Sequence, residues 1–318
     1  MHDDPYDLPA AAQRIGPYVR RTAVMRCRTF DRMAGAHLYL KTENLQTGGS
    51  FKVRGATNAV MMLADAEVRH GVVTHSSGNH AQAVALAAAA RGVAALVVMP
   101  EGSNAAKVAA VRGYGAKITW CDNNDKARSS AANKIRREHG AALIHPFNDA
   151  RVIEGQGTAA LELLEEVDDL DAVIAPVGGG GLLAGACLAA AGHRRTVEVI
   201  GAEPRLADDA YESMRTGILQ PQRPPATIAD GLRTGLGELP FSILHTGVRQ
   251  IVLVDDAQIL EAMRLCWQRA KLVVEPSGAV ALAAALWADL DMKSKHVGII
   301  LSGGNVDLCR NELCHFWR

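Results

Sequence analysis

The chain has 318 residues, more than the roughly 100–200 that one domain usually holds, so two domains are expected. Hydrophobic residues make up 48% and charged residues 21%, which excludes a disordered chain and supplies a large core. Lys+Arg and Asp+Glu are 34 each, so no global positive field exists to hold nucleic acid or an anionic membrane, and aromatics at 4% offer little base-stacking surface.

The chain alternates short apolar runs with alanine-rich helical stretches. Residues 37–41 (HLYLK) read as a strand and 51–66 as a helix. Strands at 71–76, 94–100 and 117–121 alternate with helices at 80–91, 105–114 and 127–139. After 142–146 come a helix (155–167), a strand (172–177), a helix (182–191) and a strand (197–203). A Pro-rich loop at 221–225 precedes a strand (251–255), helices at 259–271 and 277–287, and a last strand (297–301). This alternation predicts parallel α/β sheets covered on both faces. Residues 172–192 carry no charge, but Pro176 and four glycines interrupt them, so a strand, a turn and a helix are expected rather than a membrane span. Cys27, Cys121, Cys187, Cys266, Cys309 and Cys314 are scattered without a CxxC pair, which fits a reducing, cytoplasmic setting. The polar, acidic start does not read as a signal peptide.

Ligands of such folds sit at the carboxyl ends of strands. Four junctions there are glycine-rich and polar. In Thr47–Gly55 (TGGSFKVRG), Lys52 lies near a helix start beside Arg54, a location that lowers an amine's pKa and favours a nucleophile; a surface lysine is the plain alternative. In Thr74–His80 (THSSGNH), free N–H groups at a helix start suit a carboxylate, and Ser77 and His80 are proton-transfer candidates; a serine-rich N-cap is the plain alternative. Gly178, Gly179, Gly180 and Gly181 can wrap a phosphate with backbone N–H groups. A dinucleotide site is the rival, with Glu203 as the ribose acid, but GxGxxG needs glycine where Leu183 stands. Ser302, in SGGN after the last strand, offers a hydroxyl to a ring nitrogen. A fifth segment, EPRLADD (203–209), has carboxylates and a carbonyl suited to a hard divalent cation, or to capping the next helix.

Together these segments resemble the fold-type II pyridoxal-phosphate enzymes, specifically the serine racemase and serine/threonine dehydratase group. The motifs are GSFKVRGA, SSGNHAQA, GGGGLLAG, TIADGLRT (227–234), EPSGAVALAA (275–284) and SGGNVDL, and they span Ile15 to about Leu308. The resemblance implies a tryptophan-synthase-β-like α/β fold with two parallel-sheet domains, the cofactor lying in the cleft between them. The larger would comprise residues 1–69 plus 148–318, and the smaller, inserted one residues 70–147. Pyridoxal 5′-phosphate would be held covalently by Lys52, which also acts as a base at Cα. Phe51 would lie beside the ring, Asn79 would bond the 3′-oxygen, Gly178–Gly181 would hold the phosphate and Ser302 would face the ring nitrogen. Ser76, Ser77, Asn79 and His80 would bind the substrate carboxylate. Ser77 would be a second catalytic group opposite Lys52, as in serine-racemase-like members. Glu203, the Ala207 carbonyl and Asp209 would bind Mg²⁺ (or Mn²⁺ or Ca²⁺). Arg128 would reach a second substrate carboxylate.

The implied activity is a dehydratase (ammonia-lyase) acting on L-serine, L-threonine or 3-hydroxyaspartate, with serine racemase as the close alternative. The implied assembly is a homodimer. An NAD-binding oxidoreductase and a silent amino-acid sensor are the readings from other classes.

Overall fold

The computed structural model describes residues 6–76, 78–103 and 105–307. Among these the strands are β1 (Val24–Met25), β2 (His37–Lys41), β3 (Val72–His75), β4 (Ala95–Pro100), β5 (Lys117–Cys121), β6 (Ala142–Leu143), β7 (Ala172–Pro176), β8 (Glu198–Pro204), β9 (Gln250–Val254) and β10 (His296–Ile300). The helices are α1 (Leu8–Ile15), α2 (Arg28–Ala34), α3 (Lys52–Met62), α4 (Asp65–Val68), α5 (Asn79–Arg91), α6 (Ala105–Gly113), α7 (Asp125–His139), α8 (Ala150–Glu166), α9 (Gly181–Ala191), α10 (Asp209–Thr216), α11 (Glu238–Gly247), α12 (Asp256–Leu265) and α13 (Pro276–Trp287).

Two sheets result. The larger has the order β1-β2-β10-β7-β8-β9 and the smaller β5-β4-β3-β6. All neighbours are parallel except β1 and β2, so the expected α/β architecture carries one short antiparallel edge. The parallel strands read as apolar runs because helices cover both faces. Every residue of β7 is buried, and α9 and α13 present buried alanine, glycine and leucine on nearly all sides. Small side chains let these helices pack close to the sheet.

The topology fixes where a ligand can go. In the larger sheet the chain moves outward from β7 to β9, and β10 lies on the other side of β7. In the smaller one it moves outward from β3 to β5, and β6 lies on the other side of β3. Both order reversals open a crevice at the carboxyl ends of strands, the usual ligand position in open α/β sheets. Ile300 pairs with Lys41 and Ile299 with Ile174, so β2, β10 and β7 end nearly level and release their following loops at one edge.

The uncharged stretch 172–192 forms β7, a turn and α9, and no helix among the described residues is long and apolar enough to cross a membrane. The helix expected over 51–66 is two pieces, because Leu63 and Ala64 adopt extended conformations. The helix expected over 259–271 ends as α-helix at Leu265. A wide turn (266–270) follows, and Lys271 takes a left-handed φ of 61°. The sequence pattern left α1, α2, β1 and α11 unread; the helices among them are all ten residues or shorter.

Candidate active site

Lys52 opens α3, immediately after the loop that leaves β2. Its amine donates to the Pro146 carbonyl at 3.1 Å and lies 5.0 Å from the Phe51 ring centroid. Burial lowers its pKa from 10.5 to about 8, and the nearby carboxyl of Glu275 pulls it partly back up. The sequence-based expectation gave Arg54 that depressing role. The structure corrects it: the Arg54 guanidinium is bound to Glu43 and Glu162, so its charge is neutralised within the core.

The other glycine-rich junctions connect to this segment through shared neighbours. The tetraglycine turn follows β7, the central neighbour of β10. It is glycine for steric reasons: a Cβ on Gly179 would collide with the Phe147 ring, and one on Gly178 would stand 3.0 Å from Leu232 Cα. Thr234, in the TIADGLRT segment, lies alongside Gly178. Ser302 follows β10, is buried, and places its hydroxyl 3.4 Å from the Ser277 carbonyl, a weak contact that leaves the hydroxyl able to serve a ligand. The Ser302 carbonyl accepts the Phe51 N–H at 3.1 Å, which locks the lysine segment to the serine segment.

The loop after β3 comes from the smaller sheet. Ser76 Oγ accepts the Gly78 N–H at 3.2 Å. Ser77 lies outside the described residues. Asn79 starts α5; its amide donates to Glu275 Oε1 at 2.6 Å and its oxygen accepts from Asn305 at 3.0 Å. Asn305 also donates to the Gly48 carbonyl at 2.8 Å. Gly49, at φ 74°, must be glycine, since a Cβ there would strike the Asn305 amide. His80 is buried with Nε2 3.3 Å from the Ile144 carbonyl, and its Nδ1 has no partner among the described residues. Burial holds its pKa well below 6.5, and the Lys52 charge adds to that. Arg128 sits on α7, half-buried, and its charge acts on the Cys121 thiol at the end of β5.

Residues to which the sequence reading gave no role also converge here. Glu275 is buried at the start of α13, and burial, reinforced by Asp230, raises its pKa to about 8. Asp230 pairs with Lys107 of α6 at 2.5 Å, linking the two sheets' units across the site. His145, just before Pro146, contacts His75 and Phe147 edge-on. The available signal was Glu275, a lone carboxylate heading a helix of small apolar residues.

The raised pKa of Glu275 has a consequence for stability. Between pH 4.5 and 8 the unfolded chain loses this proton while the folded one keeps it, so folding stability falls as pH rises through that window. Thermal melts of the cofactor-free protein should show this decline, and Glu275→Gln should flatten it. A slope unchanged by the substitution would contradict the assignment.

Glu203 lies near the end of β8, the next strand along the same edge, and Asp209 opens α10 after it. Glu203 accepts the N–H groups of Ala210 (3.0 Å) and Tyr211 (2.8 Å), so it does cap α10. Asp209 Oδ2 accepts the Leu236 N–H at 2.8 Å. Both are buried, and burial raises the pKa of each, against the pull of those N–H groups. Among the described residues no group of three or more His, Cys, Asp or Glu is arranged to hold a metal ion; the expected set has two carboxylates and a carbonyl.

An amine held at reduced pKa among a glycine turn, a buried hydroxyl and a helix-start loop suits an aldehyde cofactor bearing a phosphate. Residues 15–303 match the pyridoxal-phosphate dependent enzyme family. The chain belongs to that family. It is 47% identical over 306 residues to serine racemase from Dictyostelium discoideum, covering 95% of this chain and 94% of the relative. It is 46% identical over 302 residues to beta-hydroxyaspartate dehydratase from Paracoccus denitrificans, covering 95% and 96%. The structure of maize serine racemase superposes with a TM-score of 0.93 at 44% identity, covering 98% of this chain and 94% of that one. The fold is therefore the fold-type II arrangement, and the family cofactor is pyridoxal phosphate. The glycine turn, the Lys52 amine and the weakly engaged Ser302 hydroxyl fit that group.

Proposed function

We propose that this protein is a pyridoxal-phosphate-dependent ammonia-lyase (dehydratase) of β-hydroxy amino acids, acting on L-serine, L-threonine or 3-hydroxyaspartate. The observation that carries the reading is the Lys52 amine, at a pKa of about 8, on a segment bonded to Ser302 and against the Pro146–Phe147 turn that packs on the tetraglycine turn. When bound, pyridoxal phosphate supplies the electron sink that lets a Cα–H bond break. Lys52 holds the cofactor and then carries the Cα proton. Gly178–Gly181 bind the phosphate through N–H groups at the start of α9. Phe51 would lie against the ring, and Asn79, held by Glu275 and Asn305, would bond the 3′-oxygen. Ser302 is neutral, so it gives the ring nitrogen no reason to keep a proton. The cofactor held this way would supply a weaker electron sink, suited to loss of a β-hydroxyl rather than to transamination. Ser76, Ser77, Asn79 and His80 take the substrate carboxylate, and Arg128 a second one. Overall, the amino acid gives a 2-oxo acid and ammonia.

Serine racemase is the second reading, supported by the D. discoideum relative and by Ser77 in the SSGNH motif. A hydroxyl on the face opposite Lys52 can return a proton to the other side of Cα. The test is 2-oxo acid release from each candidate substrate, with the chirality of recovered serine read alongside. Oxaloacetate formed fastest marks a hydroxyaspartate lyase and supports Arg128 in the pocket. Pyruvate or 2-oxobutanoate formed fastest marks a serine/threonine lyase. Inverted serine without 2-oxo acid replaces the lyase reading with the racemase.

We further infer a divalent cation, Mg²⁺ or else Mn²⁺ or Ca²⁺, on Glu203, the Ala207 carbonyl and Asp209. Two buried, mutually repelling carboxylates gain from a hard cation between them. EDTA should lower the melting temperature, Mg²⁺ should restore it, and Glu203→Gln should abolish the response. A melt indifferent to both reagents would leave Glu203 as a helix cap alone.

Residues 70–147 are proposed to move as the smaller domain, closing on the cofactor and excluding water. A homodimer would cover Leu45 and Val273, exposed apolar residues on two segments that the Asn44 Nδ2–Val273 carbonyl bond ties together.

A further inference from the structure

A short turn, residues 144–148, closes the smaller sheet and leads into α8. Three of its groups touch the site or its supports. The Pro146 carbonyl accepts from the Lys52 amine at 3.1 Å. The Phe147 ring fills the space over Gly179 and approaches Gly237, while its Cβ and backbone lie against Gly181. Asn148 Oδ1 accepts the Leu239 N–H at 2.9 Å, fixing the turn to α11.

His145 holds this turn together. Its Nδ1 accepts the Asn148 N–H at 2.9 Å and faces the Phe147 N–H at 3.4 Å. An accepting Nδ1 places the ring proton on Nε2 and keeps the imidazole neutral. The ring is clamped edge-on between Phe147 (centroids 4.8 Å apart) and His75 (5.3 Å). The charged or titratable groups around it include His75, His80, Asp149 and Lys52. Burial is the main reason its pKa falls to about 4, so the accepting form persists across the physiological range.

We propose that His145 is a positioning residue for the Lys52 amine: its Nδ1 staples the turn that presents the Pro146 carbonyl to Lys52. This rests on the reading of Lys52 as the reacting amine. A lysine side chain has four rotatable bonds and finds its own place poorly. One N–H fixed on a carbonyl sets the direction of the others and of the lone pair. The carbonyl can do this only if the turn is rigid, and proline plus the histidine staple make it so. Misplacing a reacting group by about 1 Å costs on the order of 10²-fold in rate.

The experiment compares His145→Asn, His145→Gln and His145→Ala as holoenzymes. The Asn amide oxygen sits near the Nδ1 position and can take the Asn148 N–H; the Gln amide reaches toward Nε2 and leaves Nδ1 vacant. The expected result is that Asn retains most of kcat. Gln and Ala should lose roughly 10- to 100-fold in kcat with KM changed much less, and should shift the pH titration of the Lys52-bound cofactor's visible band. Two results would overturn the proposal. One is Gln active with Asn inactive, which would make Nε2–H, donating to substrate, the working group. The other is unchanged kcat in all three. If the variants do not fold, ¹⁵N NMR of the wild-type holoenzyme decides: a protonated Nδ1 on His145 excludes the staple. Loss of the Lys52 assignment itself would appear separately, as a visible band that survives Lys52→Ala.

Discussion

Lys52→Ala should erase the visible absorbance of the bound cofactor and reduce turnover to background. Two losses combine. Lys52 is proposed both to bond the cofactor and to move the Cα proton. Proton transfer alone is worth about 10²–10⁴-fold, and the covalent anchor adds to it. The site's electrostatics make this amine suitable: burial brings its pKa to about 8, close enough to neutral pH for both protonation states to be reached during turnover. Lys52→Arg should fail as well, because a guanidinium neither forms the bond nor releases its proton. Exogenous n-propylamine should return part of the rate to the alanine variant, since it matches the three methylenes and the amine that the substitution removes. An unchanged visible spectrum in Lys52→Ala would refute the cofactor assignment. A lost spectrum with intact turnover would separate cofactor binding from catalysis and move the catalytic role elsewhere.

The parts of this site that the sequence made legible are those written locally. Lys52, Asn79, Gly178–Gly181 and Ser302 each sit where a strand or loop meets a helix or turn, within a few residues of glycine, and the chemistry of each junction follows from its own residues. The parallel α/β class was equally legible, because β7, β8 and β10 are apolar runs separated by helical stretches. What escaped depends on distance along the chain. Asn79 meets Glu275 from 196 residues away, and Lys107 meets Asp230 from 123 away. No local pattern marks such partners. The role of Arg54 was misread for the same reason: proximity in sequence to Lys52 suggested proximity of charge, whereas α3 turns the guanidinium toward Glu162, 108 residues on. His145 escaped because its effect is exerted through a backbone carbonyl, which any residue could have supplied.

Arg54→Leu should destabilise the protein by about 3–5 kcal/mol, the range for removing one member of a buried ion network. Arg54 and Lys41 are fully buried, as is Glu43, and Glu162 is nearly so. Arg54 donates to both oxygens of Glu43 (2.8 Å each) and to both of Glu162 (2.7 and 2.8 Å). Lys41 donates to Glu162 at 2.7 Å and to the Thr22 carbonyl at 2.6 Å, and Thr22 donates to Glu43 at 2.5 Å. Two cations and two carboxylates thus balance with no water needed. Burial opposes ionisation of Glu43, yet the Arg54 charge and hydrogen bonds hold its pKa below the usual carboxylate range. Deleting Arg54 leaves two carboxylates facing one ammonium in a low-dielectric core. Arg54→Lys keeps the charge but not the planar fork that serves two carboxylates at once, so it should recover only part of the loss. Leucine at 54 together with Gln at 43 should cost less than the sum of the two single changes, because the orphaned charge is gone. The network ties the end of β2 and the loop before Lys52 to α8, so the Arg54 variants should also lose cofactor affinity as they approach their melting temperature. Urea unfolding that places Arg54→Leu within 1 kcal/mol of the parent would show that the network contributes no net stability.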